Sequence, residues 1–353
     1  MRTPVNLRPL RLLEDEPVPG HWVDELKLGS FAHVIAGAAV GTPGPFNIGV
    51  FADWGQGKTS VLRQAKSLIE SDPKYADVVT VWFNAWQYEK EEHPIIPLVA
   101  SIVHQVELKR ADRANEVSES LREGWASLSN TLRSIAYGFS TNAKVQVPGF
   151  AEFEVNFVAK DTIDRYEQLQ TKQDLLLQRS LYYNAFETLE RLTKESAGIP
   201  NKPFPKIIVF VDDLDRCMPD QGIRLLESVK LVLSQRGFVF VLAVDRRILE
   251  SYLEKRYRRE FGVADYRTSG TSYLDKIVQL PLPLPSHRSR FEAYICDLLK
   301  RPTLSENPEV AKAFAGLAKT LAMGANYNPR TLVRFINNLL VDRQLWQLQG
   351  SPG

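Results

Sequence analysis

The chain has 353 residues, 44% hydrophobic and 24% charged. Those values allow an ordinary buried core, and the length suits an enlarged α/β domain with an appendage. A net charge of +2 gives no global case for nucleic acid or an acidic membrane as the defining partner. The two cysteines, Cys217 and Cys296, have no metal-ligand spacing and suit a reducing compartment.

The first thirteen residues carry Arg2, Arg8 and Arg11 but no apolar stretch of the kind a secretory leader needs. Residues 1–20 hold four prolines and no periodicity, so residues 1–23 are expected to form an arm along the surface or to lack fixed structure. No charged residue lies between Lys27 and Asp53, yet Pro43, Pro45 and Asn47 interrupt the stretch. A helix to Val40, a loop and a strand explain it better than a membrane span. The expectation is a cytoplasmic protein with no span. The helix, Asp24–Val40, has Leu28, Phe31, Ala32 and Ile35 at helical spacing; it either faces the core or lies near a bound base.

Asn47 to Phe51 is mostly apolar, and Ala52-Asp53-Trp54-Gly55-Gln56-Gly57-Lys58-Thr59-Ser60 follows. Val61, Leu62, Ala65, Leu68 and Ile69 then fall on one helix face. Strand, glycine turn and helix in this order are the context of a phosphate-binding P-loop. Backbone N–H groups at a helix start converge on an anion, and the helix dipole adds positive charge there. The backbone from Trp54 to Ser60 is the candidate phosphate cradle, with Gly55 and Gly57 allowing close approach. Lys58 can reach phosphate, and the Thr59 hydroxyl can ligate Mg²⁺. The motif wants glycine where Ala52 stands, which alanine can replace if its φ stays negative.

Val78–Phe83 reads as a strand buried on both faces. It runs into Trp82-Phe83-Asn84-Ala85-Trp86-Gln87-Tyr88, aromatics placed either to meet a ligand at a strand end or to pack. Pro94–Val106 reads as a helix. Residues 107–172 read as an insertion, with a helix over Trp125–Tyr137 and an alternating pattern over 141–158 that predicts a β-hairpin. Its apolar face either folds back on the domain or meets a protein partner or membrane surface. Gln173–Leu192 reads as a long helix.

Ile207–Val211 is an unbroken apolar run that ends in Asp212-Asp213-Leu214-Asp215. Carboxylates at a central strand's C-terminal end suit a Mg-nucleotide site, with Asp212 on the metal and Asp213 polarising water. Pro219–Leu233 predicts a helix, Phe238–Val244 a strand, Arg246–Glu260 a charged helix and Lys276–Leu280 a last strand closed by prolines. Phe291–Leu299, Val310–Leu321 and Asn328–Leu345 read as helices.

In order, Asp53 to Thr59, Phe83-Asn84-Ala85-Trp86, Asp212 to Cys217, Leu242 to Arg246, Tyr273 to Ile277 and Asn328-Pro329-Arg330 make the chain resemble the KAP family of P-loop NTPases. The resemblance implies a five-stranded parallel sheet of the additional-strand type over residues 24–285 and a helical lid over 286–353. It implies ATP with Mg²⁺, and an arginine, Arg330, aimed from the lid at the γ-phosphate. Many members of that family carry membrane helices in the insertion, which here is not apolar enough. Some are linked to phage exclusion, an analogy that suggests defence. The expected activity is an ATPase acting as a switch or motor in a larger assembly, oligomeric or hetero-partnered. Two alternatives stand beside it. One is a nucleic-acid-directed ATPase using Lys255, Arg256, Arg258 and Arg259. The other is an ATP-binding module without turnover.

Overall fold

The computed structural model describes residues 10–14, 26–91, 93–113, 119–140, 206–232, 235–261, 269–305 and 308–349. The hairpin expected at 141–158 and the helix expected at Gln173–Leu192 lie outside them. The described elements are α1 (Gly29–Gly41), β1 (Phe46–Phe51), α2 (Lys58–Ser71), β2 (Val79–Asn84), α3 (Ile95–Asp112), α4 (Glu119–Ser140) and β3 (Ile207–Asp212). They continue as α5 (Pro219–Val232), β4 (Phe238–Val244), α6 (Arg246–Phe261), α7 (Ser269–Ile277), β5 (Leu280–Pro283) and α8 (Phe291–Leu299). Last come α9 (Pro302–Ser305), α10 (Pro308–Gly316), α11 (Ala318–Gly324) and α12 (Pro329–Leu348).

The five strands form one parallel sheet in the order β2-β3-β4-β1-β5. β4 therefore stands between β1, which feeds the glycine turn, and β3, which ends in the carboxylates. The central strands read as continuous apolar runs because helices cover both faces. Side chains alternate between faces. Val209, Val211, Phe238 and Phe240 pack into a cluster with α3, α5 and α6. Ile208, Phe210, Val239, Val241, Ile48 and Val50 pack against α1 and α2. Ile207 to Val211 are all fully buried, each side chain contributing about 1.5–3 kcal/mol over its exposed state.

Two expectations change. The predicted strand Lys276–Leu280 is displaced: Ile277 ends α7, and β5 runs Leu280–Pro283 with Pro281 and Pro283 inside it. The prolines do not close this strand, because β5 pairs with β1 on one side only. An edge strand tolerates residues that cannot donate to a ladder. The second change concerns the insertion, which the sequence set apart from the core. Trp125, Leu128 and Leu132 of α4 are fully buried in the cluster beside β2 and β3. Spaced i, i+3, i+7, they form one stripe of a helix whose other faces are polar.

The helices after β5 build a separate cluster around Phe291, Ile295, Leu298, Leu332 and Ile336. Leu13 of the amino-terminal stretch joins it. Asn337 on α12 fixes that stretch by accepting from the Leu13 N–H at 2.8 Å and donating to its carbonyl at 2.9 Å. One amide side chain thus satisfies both polar groups of an otherwise unpaired backbone. Replacing Asn337 with alanine should cost about 1–3 kcal/mol and speed tryptic cleavage at Arg11. Unchanged cleavage and melting would mean that Leu13 packing alone holds this stretch.

Candidate functional site

The site forms where β1, β2, β3 and β4 present their C-terminal ends. After β1 the chain turns through Gly55 and Gly57, with φ of +82° and +89°. An L side chain rarely adopts such values, so glycine is required at both positions. A Cβ on Gly55 would lie 2.6 Å from Asn328 Oδ1, which adds a steric reason. Ala52 does not take a positive φ, so its replacement of the motif glycine is tolerated. Gly57 is the N-cap of α2 and offers no side-chain cap, leaving the first-turn N–H groups directed at the site.

The ammonium of Lys58, the first residue of α2, is buried. It donates to the carbonyls of Ala52 at 2.8 Å and Asp53 at 3.2 Å. Asp215 Oδ2 lies 2.9 Å away as an ion pair. The next residue, Thr59, donates its hydroxyl to Asp212 Oδ1 at 3.1 Å. The sheet thus brings together the hydroxyl and the carboxylate assigned to metal from sequence, 153 positions apart. Two hard oxygen donors beside a helix start fit Mg²⁺ and a phosphate. Burial, then the neighbouring Asp213 charge, raises the Asp212 pKa; hydrogen bonds from Thr59 and the backbone oppose the rise.

Asp213 takes a left-handed conformation, φ +56°, which short polar residues tolerate best after glycine. The turn separates its carboxylate from that of Asp212. Asn84 Nδ2 donates to its Oδ2 at 2.9 Å, and Arg216 Nε holds its Oδ1 at 2.7 Å. Asn84 was not singled out from sequence. Its signal is positional: the last residue of β2 stands in register with Asp212, the last of β3.

Asp245, at the tip of β4, is buried and accepts from the Arg247 backbone N–H at 3.1 Å, capping α6. The Arg247 guanidinium pairs with Asp53 of the glycine turn. His287, also buried, reaches the Gln56 carbonyl with Nε2 at 3.1 Å. Since a carbonyl only accepts, this nitrogen carries the proton. Burial lowers the pKa of His287, against the raising effect of that bond. No sequence signal marks it; it is a lone histidine after β5.

The start of α12 grips the same turn. Asn328 Oδ1 caps the helix by accepting from the N–H groups of Arg330 at 3.0 Å and Thr331 at 3.2 Å. Its Nδ2 donates to the Trp54 carbonyl at 2.7 Å. The guanidiniums of Arg330 and Arg334 lie 4.6 and 4.8 Å from the Trp54 ring centroid. Arg216 lies 5.6 Å from that of Trp86. These five residues line a cavity of about 460 Å³.

A model of the KAP family P-loop domain matches residues 29–346. The chain belongs to the KAP family of P-loop domains. That membership implies nucleotide binding. Among relatives, this KAP chain is 29% identical over 164 residues to a phage T7 exclusion protein of Escherichia coli K12, across 44% of its own length and 20% of that protein. It is 25% identical over 171 residues to an uncharacterized protein of Methanocaldococcus jannaschii, across 46% of its own length and 87% of that one. The chain therefore spans only about a fifth of the exclusion protein. Among the described residues no helix is long and apolar enough to cross a membrane. The basic cluster at 255–259 falls on α6; the side chains of its residues 256–259 lie outside the described ones.

Proposed function

We propose that this KAP domain binds ATP with Mg²⁺ and hydrolyses it to change the position of its C-terminal helices. The observation that carries this reading is the attachment of α12 to the phosphate turn through Asn328, Arg330 and Arg334. A ligand that reshapes the turn must alter the seating of a helix whose inner face, Leu332, Val333, Ile336 and Leu340, belongs to a separate core. Residues 286–353 are then a lid, and the strand order, with β4 between β1 and β3, is that of the additional-strand type. The chain acts as a switch or motor within a larger assembly, and a protein partner receives the movement. The likeness to a phage T7 exclusion protein supports a part in defence against phage.

In this reading the N–H groups around Gly55–Thr59 and the Lys58 ammonium bind phosphate. Thr59 and Asp212 would hold Mg²⁺, which supplies charge neutralisation for the transferred phosphoryl group. Asp213 orients the attacking water. Its two oxygens are already engaged by Asn84 and Arg216, which fixes its position while leaving lone pairs to accept from water.

The test pairs two variants. Lys58→Ala should lose ATP binding, at least tenfold, without losing its fold, because it removes a charge-assisted contact. Asp213→Asn should retain Mg-ATP and lose turnover by about 10²–10⁴-fold, the scale of a general-base contribution. Equilibrium binding and phosphate release measure the two arms; near-normal turnover in Asp213→Asn would remove it from the reaction.

Arg330 lays its guanidinium over the Trp54 ring, a contact worth about 0.5–2 kcal/mol. A γ-phosphate offers it a stronger, charge-assisted partner, and its guanidinium stays protonated throughout. Arg330→Ala should weaken ATP more than ADP, by a selective loss of about 1.5–3 kcal/mol. Calorimetric titration of both nucleotides decides this, and equal losses would leave Arg330 a holder of Trp54 alone.

A further inference from the structure

An ammonium group has three hydrogens to give. Lys58 directs its ammonium at three oxygens, on Ala52, Asp53 and Asp215. The first two are carbonyls of the glycine turn itself and hold the lysine folded over it. The third belongs to another part of the chain. The side chains of Lys58 and Asp215 are only 8% and 5% exposed. Asp215 Oδ2 approaches the ammonium to 2.9 Å as an ion pair and, among the described residues, accepts from no other group.

We propose that Asp215 is an internal competitor for phosphate: its carboxylate holds the place beside Lys58 that a phosphate oxygen takes, and so sets the affinity for phosphate-bearing ligands. The inference rests on the phosphate-binding reading of this turn. Carboxylate and phosphate ask the same of an ammonium, an anionic oxygen close by. With three oxygens already around Lys58, an incoming phosphate displaces one. The two carbonyls cannot leave without unwrapping the turn. Asp215 sits in the single turn Leu214–Arg216 beyond the end of β3, outside the ladder. Of the three oxygens around the ammonium, its own alone lies outside the glycine turn. A phosphate would also bring more negative charge beside Asp212, Asp213 and Asp215, which further favours withdrawal of the unanchored carboxylate. Asp212 is held by Thr59, and Asp213 by Asn84 and Arg216.

Two other roles for Asp215, a Mg²⁺ ligand or a water-activating base, predict weaker metal-nucleotide binding or slower turnover on loss of its charge. Neither predicts tighter binding without metal. ADP binding is therefore measured by calorimetry in EDTA. Asp215→Asn should bind ADP on the order of tenfold more tightly than wild type, the scale of one charge-assisted contact. Asp215→Glu keeps the charge and should stay near wild type. In a Lys58→Ala background, Asp215→Asn should gain nothing, since the competition is for that ammonium. Unliganded Asp215→Asn should melt lower than wild type, having left Lys58 without its counter-charge, and ADP should raise its melting temperature by more. If Asp215→Asn does not fold, Asp215→Ser gives the same comparison, with room for a water at the vacated oxygen. Equal or weaker ADP binding by the neutral variant, with wild type binding normally, overturns the competitor role. No ADP binding by wild type or any variant instead overturns the phosphate reading, and this inference with it.

Discussion

A single buried cation organises the C-terminal edge of the sheet. Lys58 is nearly inaccessible, and an unpaired charge there would cost several kcal/mol. It is made tolerable by two turn carbonyls and Asp215. That requirement draws the turn after β1 and the turn after β3 against each other. The left-handed glycines, the left-handed Asp213 and the placement of Thr59 beside Asp212 are all consistent with it. On the proposed reading, the charge that holds this arrangement together has its natural partner in a ligand.

The sheet order explains how this is possible. Inserting β4 between β1 and β3 holds the phosphate turn and the carboxylate turn one strand apart. That gap is what Lys58, with its long stem, and the Thr59–Asp212 bond span. It also puts the tip of β4 under the turn, where Arg247 joins Asp245 to Asp53. The P-loop, β3, β4 and the acidic turn were legible in the sequence because each is a local pattern: an apolar run of strand length, then a glycine or carboxylate signal. Lys58, Thr59 and Asp212 stood out for the same reason.

What escaped the sequence escaped for physical reasons. Pro281 and Pro283 looked like strand terminators because one-sided pairing cannot be read from a segment by itself. The stripe Trp125, Leu128, Leu132 was obscured because it follows the dense charge of 107–123 and is interleaved with serine, asparagine and threonine. Asn84, His287 and Asn328 act through contacts with residues 129, 231 and 274 positions away. No local spacing encodes such pairs. Asp215 belonged to a recognised box, yet its ion pair with Lys58 depends on how the left-handed Asp213 turns the chain.

The junction between the glycine turn and α12 has a particular balance. Within the C-terminal helices, Phe291, Ile295, Leu298, Leu332 and Ile336 are buried and hold those helices to one another. The contacts of α12 with the turn include an amide hydrogen bond and two guanidinium–indole contacts. Each is worth about 0.5–2 kcal/mol, small beside the apolar burial on either side. On the proposed reading, these contacts seat the helix within reach of what one phosphate group offers to the same arginines. Strong cohesion within each part beside a polar attachment then makes the turn the place where binding energy becomes movement.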